Sequence, residues 1–198
     1  MLDKLRHKEL VPFIQTYMKQ RTKYSVIYYL SNMIVLGLVS YYFVEGYNLP
    51  NYSFSVRLTH FIYGLAIAFG LLPVQEYIHV LAYKSHGAKN SSYDANLKKL
   101  YFMALADKFV SNKKEVEVVA LSPLSIATLI LILFQYFVNS EWTLTVASVM
   151  LAHTAMYSGD FGLLSYFKLN KEKQVVTYDD NENKISYFYG RKDQRNTT

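Results

Sequence analysis

The chain of 198 residues contains no cysteine, which removes disulfides, thiolate metal ligands and cysteine nucleophiles and leaves the redox compartment open. Proline and glycine are scarce, at 4 and 8 residues, and no segment is of low complexity, so a disordered or collagen-like chain is excluded. The sequence has no glycine-rich phosphate loop, no Gly-x-Ser-x-Gly elbow and no basic-aromatic RNA motif. Charge is also sparse: 18% of residues are charged against 52% apolar. Mean hydropathy is nonetheless only +0.05, so the apolar residues must be gathered in blocks.

Four stretches, 24–44, 58–75, 118–140 and 142–159, carry no formal charge over 18 to 23 residues each. About 20 residues suffice to cross a hydrocarbon core about 30 Å thick. Too little polar chain remains to cover four such helices in water. The first begins after 23 largely polar residues and lacks a small-residue cleavage pattern, unlike a signal peptide. Lysine and arginine give the orientation: six lie in residues 1–23, seven in 84–114 and seven from Lys168 onward, whereas the other two connections hold only Arg57. The positive-inside rule then puts both termini and the middle loop in the cytoplasm. The net charge of +6 flanks spans instead of forming one basic face, which argues against nucleic acid as a partner and for the lipid bilayer.

The sequence thus predicts an all-α polytopic membrane protein with four transmembrane helices, N-in and C-in, and short cytoplasmic β-hairpins. The spans cover about 24–45, 57–84, 118–139 and 142–167, forming a membrane domain over 24–167. Residues 1–23 form a basic amphipathic leader suited to the inner leaflet. The loop 85–117 reads as a hairpin built from the apolar run 100–106 and the Val/Glu alternation of 116–121, with a turn at 111–114. Pro123 is expected in the first turn of the third span. In 168–198, two strand-like runs, 174–178 and 185–189, flank a polar turn, and the last eight residues read as a disordered tail.

Ionisable groups inside spans are expensive and point to function. Glu76 and Asp160 are such acids, accompanied by His79 and His153. At about 1.5 Å per residue, His79 lies about 8 Å from Lys84 and Asp160 about 12 Å from Lys168. Both helices run toward the cytoplasm, so these groups share a depth. Gln75-Glu76-Tyr77-Ile78-His79 is a His-Glu-x-x-His helix with its first histidine replaced. In the intact motif the two imidazoles hold zinc from one helix face and the glutamate takes a proton from water.

This helix, the Ala-Leu-Ser-Pro run at 120–123 and Ser-Gly-Asp at 158–160 together resemble the bacterial membrane proteins known as putative zincin peptidases, distantly like site-2 proteases. The resemblance extends from about residue 58 to the tail hairpin. It implies a bacterial inner-membrane location, Asp160 as third metal ligand beside His79, Glu76 as catalytic base, and hydrolysis of a peptide bond at the membrane boundary. The departure is Gln75. An amide oxygen is a poorer zinc donor than imidazole, so zinc would be held weakly or not at all.

His153 precedes Asp160 by seven residues, about 10 Å along a regular helix, so only a break at Ser158-Gly159 would let both face one metal. Its alternative is an interhelical hydrogen bond. His7, His60 and His86 lie away from this depth. Three functions follow from the residues: a degenerate family member binding a membrane protein or peptide, an active intramembrane zinc peptidase, and a structural bundle in which the polar groups are interhelical glue. A di-iron bundle would need a second Glu-x-x-His, and a transporter would show paired broken helices.

Overall fold

The computed structural model describes residues 1–50, 52–96 and 101–190. Leu100 of the expected hairpin and the expected tail 191–198 lie outside the described residues. The chain divides into two compact units, one of Met1–Ser25, Glu76–Pro123 and Ser158–Thr198 and another of Val26–Gln75 and Leu124–Tyr157.

Helices make up the second unit. It contains most of α2 (Lys23–Glu45), α3 (Phe54–Gly70), the start of α4 (Leu72–Ser85), the later part of α5 (Lys113–Gln135) and α6 (Ser140–Met156). The helices α3 and α6 pack at backbone range because Gly64 has no side chain. A Cβ there would lie 2.5 Å from the Thr145 carbonyl oxygen and would also strike Ser148. Small residues at such contacts let membrane helices gain dispersion and interhelical hydrogen bonds; here His60 Nδ1 meets Thr145 Oγ1 at 2.8 Å. Val39, Leu144 and Ala147 form the centre of the apolar packing. At one end of this unit the buried Arg57 donates to the Phe43 carbonyl at 2.8 Å, with its guanidinium 3.3 Å above the Tyr47 ring.

The apolar surface is what a lipid solvent allows. Met33 and Ile34 on α2 and Leu129, Ile130 and Leu133 on α5 are each more than half exposed. Three stretches are long and apolar enough to cross a membrane: Lys23–Asn48, Phe54–Ser85 and Lys113–Gln135. The second and fourth expected spans differ in form: α3 ends at Gly70 and α4 starts at Leu72, so 57–84 is two helices in one apolar stretch. α6 ends at Met156, ψ turns to 10° at Tyr157, and α7 (Ser158–Leu169) begins afresh. Residues 142–167 are therefore two helices.

The other unit is mixed. Its antiparallel sheet has the order β1-β6-β5-β4, from β1 (Asp3–Arg6), β4 (Ser111–Asn112), β5 (Val176–Asp180) and β6 (Ile185–Tyr189). The expected tail hairpin is present, with its first strand two residues later than predicted. The leader is part of this unit: Lys4 lies opposite Tyr187 in the sheet. After it, α1 (His7–Met18) packs on α7 where Gly162 leaves room, since a Cβ there would sit 2.8 Å from the Ile14 carbonyl oxygen. Phe13, Tyr17, Tyr166, Phe167 and Phe188 form an aromatic cluster between these elements. Alternation in β6 explains it: Ser186 and Phe188 face inward, Tyr187 and Tyr189 outward.

The middle loop departs from expectation. β2 (Ser91–Asn96) pairs with β3 (Tyr101–Ala106), Asp94 opposite Met103, whereas 116–121 is helical. Asn112 and Glu115 form a capping box that starts α5 early. The Asn112 Oδ1 accepts from the Lys114 and Glu115 amides at 2.8 and 3.3 Å, and Glu115 Oε2 accepts from the Asn112 amide at 2.7 Å. Three backbone amides at the helix start are thereby satisfied. Pro123 consequently falls in the interior of α5, not in its first turn.

Candidate metal centre

Helix α4 carries Gln75, Glu76 and His79. In the mixed unit His79 is buried, and its Nδ1 lies 2.9 Å from the Val119 carbonyl oxygen on α5. A carbonyl can only accept, so the ring proton is on Nδ1. In the neutral ring Nε2 then carries the lone pair. That nitrogen stands 3.9 Å from Asp160 Oδ2, in the first turn of α7. Two electron-rich atoms face each other, an arrangement that a proton or a cation between them makes favourable.

Glu76 belongs to the same group. Its carboxylate has His79 and Asp160 as electrostatic neighbours and accepts a hydrogen bond from the Ala104 backbone amide on β3. The helical unit holds Gln75, also buried, whose Nε2 is 2.7 Å from His153 Nδ1. The amide nitrogen donates there, so His153 carries its proton on Nε2. The ring of Tyr157 meets that of His153 edge-on, centroids 4.9 Å apart. His153 thus makes an interhelical hydrogen bond. The break after Tyr157 removes the regular-helix spacing on which its separation from Asp160 was estimated.

Zinc in catalytic sites takes three protein ligands, from imidazole, carboxylate or thiolate, and leaves one position open. His79 and Asp160 are two donors of the right chemistry, and the hydrogen bond from His79 to Val119 is the outer contact that fixes a ligating imidazole. Among the described residues no group of three or more histidines and acids is placed to hold a metal ion. The fit is to a two-donor site. Of the predicted residues, the structure brings Glu76, His79 and Asp160 together and joins Gln75 to His153. The sequence reading missed two partners, the Val119 carbonyl and the Ala104 amide. Being backbone groups, they carry no residue signature.

The model of the family described as "Putative zincin peptidase" matches residues 68–175, more than half of the chain. That stretch contains Gln75, Glu76, His79, His153 and Asp160. No curated protein and no solved structure matches the chain. With the family model spanning every residue of the candidate centre, the chain belongs to the putative zincin peptidase family.

Proposed function

We propose that the chain is a four-span membrane protein, N-in and C-in, with a degenerate zinc centre, and that it acts by binding a membrane protein or peptide. The hydrogen bond between Gln75 and His153 carries this reading. At the position where the motif has its first imidazole, the side chain is engaged as a donor to another helix. The metal would rest on His79 and Asp160, with an affinity well below that of a three-ligand site. Zinc held there supplies Lewis-acid polarisation. Around it, Glu76 is placed to take a proton from water, and the Ala104 amide fixes the orientation of its carboxylate.

Elemental analysis of detergent-purified protein tests the proposal. Wild type is expected to hold far less than one zinc per chain and Gln75→His to approach one, with His79→Ala or Asp160→Ala in that background returning it to the wild-type level. The retained Glu76 favours a second reading, an active peptidase. Near-stoichiometric zinc in wild type, with peptide hydrolysis abolished by Glu76→Gln, would establish that reading instead. Failure of both wild type and Gln75→His to bind zinc would leave a structural bundle.

A further inference from the structure

An interior proline in an apolar helix demands an explanation, because it removes a backbone hydrogen bond and crowds the preceding turn. Pro123 is such a residue, fully buried within α5. In an α-helix the donor for each carbonyl is the N–H four residues later. For Val119 that donor would be residue 123, and proline has none. The Val119 residue is itself buried, where a carbonyl without a partner is strongly disfavoured. Two side chains fill the gap: the Ser122 hydroxyl donates at 3.0 Å and the His79 ring at 2.9 Å.

From this geometry we infer that Pro123 is a positioning residue for the candidate metal centre: by depriving the Val119 carbonyl of its helical donor, it recruits the His79 Nδ1–H and turns Nε2, as the lone-pair atom, toward Asp160. The inference rests on the metal-centre reading for its purpose but not for its mechanism. An alanine at 123 would restore an N–H to the ladder and straighten the turn, so that the helix itself satisfies Val119. His79 would then lose the contact that selects its tautomer. A proline needed only to bend the helix would leave the ring of His79 unaffected.

The test uses full-length protein in detergent with histidine labelled by ¹⁵N in the ring, the His79 signals being assigned by their loss in His79→Gln. Two-bond ¹H–¹⁵N correlation at a pH where the ring is neutral reports which nitrogen is protonated. Wild type is expected to show the Nδ1–H tautomer, Ser122→Ala to keep it, and Pro123→Ala to shift toward Nε2–H or a mixture. Zinc affinity, titrated in the Gln75→His background, is expected to fall about 10- to 100-fold on adding Pro123→Ala, as for loss of an outer-shell partner. An Nε2–H tautomer in wild type overturns the inference, and that measurement stands even if Pro123→Ala does not fold. So does an unchanged tautomer in folded Pro123→Ala. If no variant binds zinc and the tautomer still moves, the metal reading fails and the role of Pro123 is upheld.

Discussion

Asp179 shows what one residue can do to the pH response of this protein. It lies in β5, bridged through the backbone to Asp107 and accepting a hydrogen bond from the Ser186 hydroxyl. Burial, with the charge of Asp107 adding to it, pushes its carboxyl from the ordinary 3.8 up to about 6, against the opposing pull of Ser186. A carboxyl raised on folding contributes stability that is complete below pH 3.8 and lost as pH rises through about 6. The loss is of order 1–3 kcal/mol. Asp179→Asn cannot ionise and keeps an acceptor for Ser186. Unfolding of the purified protein at pH 5 and at pH 7.5 should therefore show a smaller stability gap in this variant than in wild type, and an unchanged gap would refute the assignment. No local pattern announces the pair, since 72 positions separate the two acids and only the pairing of the loop with the tail brings them together. His79 and Asp160, by contrast, stood out in the sequence because a titratable side chain in an apolar block has few innocent explanations.

Among the elements, legibility followed the strength of the local signal. Long uncharged blocks marked α2, α3 and α5 because a helix is the structure that satisfies a segment's backbone polar groups within that segment in lipid. The start of α5 was misread because Val/Glu alternation over 116–121 imitates a strand, while the deciding signal, Asn112 three residues before Glu115, lies just outside that window. The break between α6 and α7 has no proline to announce it; Ser158-Gly159 was the available hint. Close packing of α3 on α6 was equally silent, as Gly64 looks like any glycine until its neighbour is known. It yields a sharp contrast. Gly64→Ala should lower the detergent melting temperature by the equivalent of about 1–3 kcal/mol, the usual penalty for overpacking. Gly37→Ala in α2, where a Cβ meets nothing within 4 Å, should be neutral or stabilising by about 0.5–1 kcal/mol. Equal melting temperatures for the two variants would contradict the backbone-range contact.

For the whole molecule the decisive quantity is the number of crossings, and the absence of cysteine makes it measurable. Single cysteines can be introduced into a background with no native thiol. Asn48→Cys, Lys89→Cys and Ser140→Cys substitute exposed residues between successive expected spans, and Glu182→Cys an exposed residue in the tail hairpin. Four crossings from an inside N-terminus put positions 48 and 140 outside and positions 89 and 182 inside. Three crossings, with α6 and α7 not traversing the bilayer, would leave 182 on the same side as 140. That arrangement would expose the seven lysines and arginines from Lys168 onward, against the charge bias that orients membrane proteins. An impermeant maleimide applied to intact cells is therefore expected to label Cys variants at 48 and 140, and those at 89 and 182 only after lysis. Labelling of 140 and 182 alike from outside would reduce the protein to three spans. It would also put β5, β6 and Asp160 across the bilayer from β1, β4 and His79, which is incompatible with the pairing of β1 with β6 and of β4 with β5 and would take the candidate centre apart.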